Sequence, residues 1–423
     1  MLNKNVIQVF EHDRLTMHSD SRFTKKHLKA LISFNDNNDN KYFKVIRDGV
    51  RFSQYVGVIQ AGNLTIEILP KADKNAITEE SAKPLWHMVL LNMLKECRLL
   101  KIDHVEKAQL NLRSNSLLEI YLELFLTETE QLLREGLIKK YKPSEGNKTA
   151  LKGRLHFGKN IAYNLVHQER FYVNYTEYSL HNVFNQLLLK TLHLIPKISN
   201  TPWFSDRVNR ILLDFPELPD CKVSSATFEK LVFDRKTERY KEALLISKML
   251  LLNYRPDISG GSENVIAILF DMNKLWEEFV YRRLKREETN FGVTVRRQQS
   301  ADFWKQEMAF SSKKIRPDIV ITQDDKTIII DTKWKVMTDL IPDDGDLKQM
   351  FVYNLFWNCD RSILLYPAVN EISGYGDYHD FRREEPFYTQ CSVETVNILD
   401  SEKSLDKRLG QKIFETIIRP IVN

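Results

Sequence analysis

Three ionisable residues in the C-terminal part of the chain lie where metal-assisted hydrolysis would need them. Asp318 opens the apolar run IVIT, and Asp331 and Lys333 follow the run TIII. Two carboxylates can coordinate Mg²⁺, a hard cation that prefers oxygen ligands and keeps several waters. Such a metal lowers the pKa of a bound water and neutralises charge on a phosphate, and a lysine can orient that water or stabilise the developing charge.

The two apolar runs predict a β-hairpin, with strands at residues 318–322 and 327–333 joined by the turn QDDK. Asp331 and Lys333 are two positions apart, so a strand points both side chains to one face. Normal hairpin pairing would bring Asp318 across from Asp331. The alternative is a surface hairpin in which aspartate and lysine form an ordinary cross-strand pair.

The pattern P-D, a gap, then D-x-K is not specific by itself, because the chain contains a second copy of it. Asp220 follows a proline, and Asp234 and Lys236 form the later D-x-K. Asp234 leads directly into a helical pattern, whereas β-branched runs adjoin Asp318 and Asp331. The context therefore favours the C-terminal copy as the chemical site.

A helical pattern after the hairpin, GDLKQMFVYNLFWN, supplies two further candidates. Gln349 and Tyr353 are four positions apart and share one helix face. The alternative is an ordinary amphipathic helix, in which Phe351, Leu355 and Phe356 are the core residues.

The helical pattern before the hairpin, FDMNKLWEEFVYRRLKREE, contains one more acidic candidate. Glu277 borders the apolar arc made by Val280 and Leu284, while Glu278 points further out. A glutamate at the edge of a buried face could reach a metal. The alternative is a solvated or salt-bridged glutamate.

Basic segments surround these candidates: YRRLKRE, VRRQQ, SSKKIRP and TKWK. Basic residues interleaved with tyrosine and tryptophan suit a phosphate backbone. The alternative is a solvated face with charges of both signs. The net charge of +5 permits a polyanionic partner without requiring one.

Composition and length bound the class of protein. The 423 residues predict two or three domains, and 43% hydrophobic with 28% charged residues exclude a disordered chain. Four dispersed cysteines without a C-x-x-C pair indicate neither a disulfide framework nor a zinc site. Because the chain has no apolar signal core and no run of 18 apolar residues, we expect a soluble protein of the reducing cytoplasm.

We predict three segments along the chain. Residues 1–75 form a β-rich N-terminal domain, whose runs NVIQVFE, YFKVI, QYVGVIQAG and LTIEILP are separated by polar turns, with FNDNNDNK as a hairpin loop. Residues 76–262 are mainly helical, with Pro84 in a first turn and Gly136 near a helix end. RPDISGGSEN, residues 255–264, is the best linker candidate.

Residues 263–423 alternate helix, strand, hairpin, helix and strand, which predicts an α/β domain with a central sheet. The whole chain is therefore expected to be multidomain, with a β-rich and α-helical N-terminal region followed by this α/β domain.

The order of glutamate on a helix, P-D, D-x-K and Q-x-x-x-Y resembles the PD-(D/E)xK nuclease superfamily, in the branch that shares a QxxxY helix with RecB-type nucleases. More narrowly, FDMNKLWEEFV, RPDIVI, IIDTKWK and LLYP are similar to the McrC family, the nuclease subunit of McrBC modification-dependent restriction systems. The upstream stretches YVGVIQAGNLTIEILPK, LLREGLIKKY, ALKGRLHF and SLHNVFNQLLLKTL extend this resemblance over most of the chain.

The resemblance implies a restriction-endonuclease-like fold for residues 263–423 and assigns roles residue by residue. Asp318 and Asp331 would bind Mg²⁺, and Lys333 would be the catalytic lysine. Supporting positions would be Glu277, Gln349 and Tyr353.

The resemblance also implies a partner, a McrB-like hexameric AAA+ GTPase that recognises modified DNA and translocates. The N-terminal half, residues 1–262, would dock on that ring and stimulate GTP hydrolysis, and the substrate would be double-stranded DNA, methylated or unmodified. The chain has no G-x-x-x-x-G-K-[ST] phosphate loop, because EGNKTALKG has neither its spacing nor its residue order.

Two other functions remain open. One is a stand-alone nuclease of another PD-(D/E)xK family, and the other is an assembly factor that stimulates an AAA+ motor while its nuclease fold is vestigial.

Overall fold

The computed structural model of the protein describes most of the chain, namely residues 5–71, 79–100, 116–199, 201–255, 264–305, 312–335, 337, 341–368, 372–379 and 386–419. Two compact units are present: one combines Met1–Leu117 with Leu269–Asn423, and the other is Leu118–Ile268. Most of the predicted linker, residues 256–263, lies outside the described residues. The three-segment division by function stays a prediction.

The N-terminal part of the first unit is built mainly from strands, as predicted. Its elements are β1 (Val6–Phe10), β2 (Arg14–Thr16), α1 (Lys25–Asp36), β3 (Phe43–Ile46), β4 (Gly49–Phe52), β5 (Tyr55–Ala61) and β6 (Leu64–Leu69). Strand β6 pairs parallel with β1 and antiparallel with β5, while β4 pairs antiparallel with β2 and β3. β5 and β6 are almost wholly buried, and this includes their polar residues Gln60, Thr65 and Glu67.

Helix α1 corrects the prediction for FNDNNDNK, which is not a hairpin loop. The first residues of this segment are the last residues of α1, and the rest of the segment connects α1 to β3. Ala30, Leu31 and Phe34 bury one helical face, and Asn35 donates a hydrogen bond to the carbonyl oxygen of Phe43, 2.7 Å away. The prediction failed because the run of asparagines and aspartates obscured the helical periodicity before it.

The middle of the chain is mainly helical, as predicted, but it also contains strands. Its elements are α2 (Glu79–Glu96), α3 (Leu117–Arg134), β7 (Lys140–Lys148), β8 (Arg154–Leu155), α4 (Phe157–Asn164), β9 (Phe171–Ser179), α5 (Val183–Ile198), α6 (Pro202–Asp214), α7 (Ser225–Glu229), a 3-10 turn (Glu238–Tyr240), α8 (Lys241–Asn253) and β10 (Tyr254–Arg255). Pro84 lies inside α2 and not in its first turn, because the helix begins at Glu79.

The small sheet β7-β9-β8 has no clear sequence signal. The strand KYKPSEGNK is polar and shows no period-two alternation, yet it pairs with β9 along its whole length. Gly153, at φ +83°, belongs to the tight turn before β8, where a Cβ would clash with the carbonyl oxygen of Asn174.

The C-terminal part alternates helices and strands as predicted. Its elements are β11 (Val265–Asp271), α9 (Met272–Phe291), β12 (Thr294–Arg297), β13 (Ala301–Lys305), β14 (Ser312–Ile315), β15 (Ile319–Gln323), β16 (Lys326–Thr332), α10 (Asp344–Trp357), β17 (Arg361–Ala368), β18 (Ser373–His379), β19 (Pro386–Asn397), α11 (Leu409–Ile413) and a π-helical turn (Phe414–Ile418).

A mixed six-stranded sheet in the order β12-β15-β16-β17-β19-β18 forms the centre of this part. β16 pairs antiparallel with β15 and parallel with β17, and β17 pairs parallel with β19. Helix α9 packs against β12 and β16, and α10 packs against β16, β17 and β19. Ile329 of β16 lies in one apolar cluster with Met350 and Tyr353 of α10.

Helix α10 does not bury the face that the alternative of an ordinary amphipathic helix required. Met350, Tyr353 and Asn354 are its buried residues, whereas Leu355 and Phe356 are nearly half exposed. Asn354 explains part of the difference, because its amide donates to the carbonyl oxygen of Gln390, 2.9 Å away. A polar residue that bonds to the sheet backbone thus takes a core position.

No helix in the ranges that the structure describes is long and apolar enough to cross a membrane.

Candidate active site

The hairpin β15–β16 brings Asp318 next to the end of β16. Ile319 pairs with Ile330, so Asp318, one residue before β15, lies across from Asp331. The Asp318 Oδ2 atom accepts hydrogen bonds from the backbone N and the Oγ1 of Thr332, at 2.8 and 2.9 Å. The predicted convergence of the two aspartates therefore follows from the hairpin register.

Lys333 lies directly after β16 and is held by two carboxylates. Its Nζ is 2.9 Å from Oδ2 of Asp331 and 2.8 Å from Oδ1 of Asp346. The sequence reasoning did not identify Asp346, which lies in the first turn of α10. An acidic residue there is usually explained by the helix dipole, so no sequence signal separated it from Asp344.

Gln349 connects the lysine, the aspartate and the tyrosine. Its Nε2 donates to the Tyr353 hydroxyl at 2.6 Å and lies 3.4 Å from Oδ1 of Asp331. Its Oε1 lies 3.4 Å from Nζ of Lys333. The Tyr353 hydroxyl in turn donates to the carbonyl oxygen of Arg316 at 3.0 Å, so the predicted helix face is turned toward the aspartates.

Helix α9 contributes Glu277 at the margin of this cluster. Oε1 of Glu277 accepts a hydrogen bond from Nε2 of Gln298 at 2.7 Å. Glu278 points elsewhere and pairs with Arg282, at 2.5 Å, and with Arg297. Both glutamates are half-buried, and they differ in their partners more than in their exposure, so the role given to Glu277 stays a prediction.

Burial and like charge raise the pKa of both aspartates. For Asp318 the larger cause is burial and the next is the charge of Glu277, against which the hydrogen bonds from Thr332 act. For Asp331 burial acts first and the charge of Asp318 second, and Lys333 offsets only part of this. Two carboxyls with raised pKa values lie side by side, so binding of a proton or a cation would stabilise this site.

The Lys333 ammonium keeps its charge in this site. Burial alone would lower its pKa, but the adjacent carboxylates of Asp331 and Asp346 outweigh burial and raise the pKa above its usual range. Lys333 is therefore a fixed cation, half-buried, at the end of β16.

The sequence around this site matches a known protein family. The model of the family described as McrBC 5-methylcytosine restriction system component matches residues 50–367, more than half of the chain. The chain belongs to this McrBC family. The matched range includes all six predicted site residues, Glu277, Asp318, Asp331, Lys333, Gln349 and Tyr353.

Solved structures show the same fold in McrBC assemblies. A chain of the Thermococcus gammatolerans assembly of McrB AAA+ hexamers with bound McrC superposes with a TM-score of 0.73 at 19% identity, over 98% of this chain and 100% of that chain. A chain of the Thermococcus gammatolerans McrBC complex superposes with a TM-score of 0.53 at 22% identity, over 67% and 88%. No curated protein matches the sequence.

The residues of this McrBC-family chain fit a magnesium ion held by few protein ligands. No three histidine, cysteine, aspartate or glutamate side chains of the described residues come close enough together to form a metal cage. Mg²⁺ usually keeps several waters and takes one or two carboxylates. Asp318 and Asp331 are such a pair, and within the described ranges Oδ1 of Asp318 has no hydrogen-bond partner.

The second P-D…D-x-K copy in this McrBC-family chain forms no comparable cluster. Asp220 pairs with Lys190 at 2.8 Å on the surface. Asp234 accepts hydrogen bonds from the backbone N atoms of Lys236 and Thr237, both at 2.9 Å, and so terminates a turn before α8. This copy is a helix-start signal, as its sequence context predicted.

Proposed function

We propose that the chain is the Mg²⁺-dependent DNA endonuclease subunit of an McrBC-like restriction system. It would hydrolyse phosphodiester bonds of double-stranded DNA when assembled with a McrB-like AAA+ GTPase hexamer, and it would stimulate the partner's GTP hydrolysis. In this proposal the α/β part of the first unit is a PD-(D/E)xK nuclease domain.

One observation carries the nuclease assignment: Asp318, Asp331 and Lys333 converge at the end of β16. A surface hairpin would leave a cross-strand Asp–Lys pair in water, whereas Asp331 is only 3% exposed. Burying two carboxylates and one ammonium costs free energy unless they are paired with each other or with a ligand. Membership of the McrBC family supports a restriction function for this cluster.

The roles of the residues follow from their contacts. Asp318 and Asp331 would hold Mg²⁺, which when bound lowers the pKa of a water and neutralises charge on the phosphate. Because Lys333 remains a cation, its Nζ would donate to the oxygen that gains negative charge and would not act as a general base. Gln349 would orient Asp331, and Tyr353 would orient Gln349.

The decisive experiment is plasmid cleavage with and without the AAA+ partner, GTP and Mg²⁺. We expect Asp331→Ala and Lys333→Ala to abolish cutting, because each removes one member of the cluster. The matched control is the double variant Asp234→Ala, Lys236→Ala in the second copy, which should cut like the wild type. Undiminished cutting by Asp331→Ala would refute the site.

The same assay separates the two other functions. Cutting without the partner that is lost in Asp331→Ala would indicate a stand-alone nuclease. Stimulation of GTP hydrolysis without cutting on methylated or plain DNA, and without Mg²⁺ binding, would indicate a motor-stimulating factor.

An exposed apolar patch in the second unit is the proposed docking surface for the AAA+ partner. The patch consists of five side chains on and just after α4, each more than half exposed: Phe157, Ile161, Tyr163, Leu165 and Val166. Exposed apolar patches on soluble domains often mark protein interaction sites. The Thermococcus gammatolerans structure contains McrB hexamers with bound McrC, which makes a hexamer the occupant we propose.

Polar substitutions test this surface. We expect Ile161→Ser with Val166→Ser to reduce stimulation of the partner's GTP hydrolysis at least tenfold, because docking would lose its apolar contacts. Leu213→Ser is the control, since Leu213 is as exposed but lies on α6. Unchanged stimulation in the double variant would exclude the patch from the docking surface.

A further inference from the structure

A cleft between the hairpin β13–β14 and helix α10 borders the candidate site. The cleft has a volume of about 780 Å³ and is lined by eleven residues, which include Gln349 and Tyr353 of the candidate site. Because Gln349 also contacts Asp331 and Lys333, a molecule in this cleft would lie one side chain away from the proposed reacting centre.

Among the described residues that line the cleft, every charged one is basic. The basic residues are Lys314, Arg316 and Lys348, and no aspartate or glutamate belongs to the described lining. Lys314 and Lys348 approach Asp302 and Asp344, at 3.9 and 2.7 Å, but all four side chains are mostly exposed. Exposed ion pairs of this kind are weak, so the lysines can exchange these partners for a polyanion.

An aromatic side chain stands beside the three cations. Phe303 of β13 lines the cleft, is 49% exposed, and has its ring centroid 5.7 Å from that of Phe356 on α10. In a nucleic-acid site the cations of such a groove contact phosphates, and an exposed aromatic ring packs against a sugar or an unpaired base. An acidic peptide would use the cations but would gain little from the ring.

We propose that this basic cleft, defined by Phe303, Lys314, Arg316 and Lys348, binds the DNA strand that flanks the scissile bond. The proposal rests on the nuclease function proposed above. The three cations would contact backbone phosphates, and Phe303 would contact a sugar or base next to them.

The experiment measures affinity of the full chain for a labelled 30-base-pair duplex in EDTA, where no cutting intervenes, at several salt concentrations. The cleft variant carries Lys314→Gln, Arg316→Gln and Lys348→Gln. The matched control carries Lys403→Gln, Lys407→Gln and Arg408→Gln, which removes the same residue types from exposed positions near the C-terminus.

Each lost phosphate contact lowers the slope of log affinity against log salt by roughly 0.9. We therefore expect the slope of the cleft variant to fall by roughly 2.7, if all three contacts are lost, and the control to change little. Phe303→Ala should weaken duplex binding about fivefold without changing the slope, because packing an apolar ring against a deoxyribose is not an ionic contact.

Equal slopes in the cleft variant and the control would overturn the proposal, and so would a wild-type chain without measurable affinity for the duplex. A cleft variant that keeps its DNA affinity but loses response to the AAA+ partner would assign the cleft to a protein ligand instead, which also overturns it. Cutting that survives Asp331→Ala would refute the nuclease site and leave the result on DNA binding intact.

Discussion

Glu11 accepts a hydrogen bond from the indole Nε1 of Trp334, 2.6 Å away, although the two residues are 323 positions apart. Trp334 follows the proposed catalytic Lys333 directly, and its backbone N donates to Oδ1 of Asn273 at 3.2 Å. The end of β1 and the start of α9 therefore hold the segment that carries the lysine. A residue directly after the N-terminal strand β1 thus supports the geometry of the candidate site.

Glu11 gives the first prediction, a dependence of stability on pH. Burial raises the pKa of Glu11 to about 7, against which the hydrogen bonds from Trp334 and Lys71 act. A raised pKa means that the folded state holds the proton more tightly than the unfolded state does. Stability is therefore lost as the pH rises from the pKa of the unfolded state through the folded-state pKa of about 7. We expect this group to account for about 3 kcal/mol between pH 4.5 and 8.

Thermal unfolding of the wild type and of Glu11→Gln across this pH range checks the prediction. Glutamine keeps the Oε1 acceptor and removes the titration, so the variant should lose less stability at high pH. Glu402→Gln, at an exposed position, should follow the wild type. Parallel curves for Glu11→Gln and the wild type would show that Glu11 does not titrate in this range.

The second prediction concerns the indole donor. Trp334→Phe keeps an aromatic ring but removes the Nε1 hydrogen, and we expect the free energy of unfolding to fall by about 1–3 kcal/mol. Cleavage should slow as well, because Lys333 precedes Trp334. The control Trp304→Phe changes an indole that is 56% exposed and should stay within about 0.5 kcal/mol of the wild type. Equal unfolding curves for the two variants would contradict the prediction.

The third prediction concerns the carboxylate that the sequence did not reveal. Asp346→Asn removes one of the two charges that hold Nζ of Lys333, so we expect the cleavage rate to fall about tenfold with little change in KM. At alkaline pH the rate of this variant should begin to fall at a lower pH than the rate of the wild type. The reason is that the Asp346 carboxylate, which helps to raise the pKa of Lys333, is absent. The control is Asp344→Asn, because Asp344 is exposed and lies in the same helix turn. An equally large loss of cleavage rate in this variant would show that the charge at the helix start matters and not the contact with Lys333.

The fourth prediction concerns the proposed metal and does not need cleavage. Mg²⁺ should raise the melting temperature of the wild type, by a stabilisation of about 2.7 kcal/mol at a hundredfold excess over Kd. The increase should be larger at pH 8 than at pH 6, because the raised pKa values of Asp318 and Asp331 let protons compete with the metal at the lower pH. The variant Asp318→Asn, Asp331→Asn should show no increase, and an equal increase there would place the metal elsewhere.

The central hairpin was predictable because its determinants are local. The β-branched runs, the short turn and the spacing of Asp331 and Lys333 all lie within about two dozen residues, and strand periodicity alone sets which side chains share a face. Helices α9 and α10 followed from apolar periodicity in the same way. The alternative reading of α10, with Leu355 and Phe356 in the core, was wrong, because apolar periodicity marks a helix face but does not show which neighbouring element covers it.

Residue types and local spacing thus predicted that Asp318, Asp331 and Lys333 come together, since each lies in or directly beside a strand of one hairpin. The pairing of Lys333 with Asp346, the bond between Glu11 and Trp334, and the strand formed by the polar segment KYKPSEGNK have no local signature. Each of these depends on segments that meet only when the chain is folded. Contact between distant segments is selected by burial and by hydrogen-bond partners supplied from elsewhere, and a one-dimensional pattern does not encode which segment supplies them.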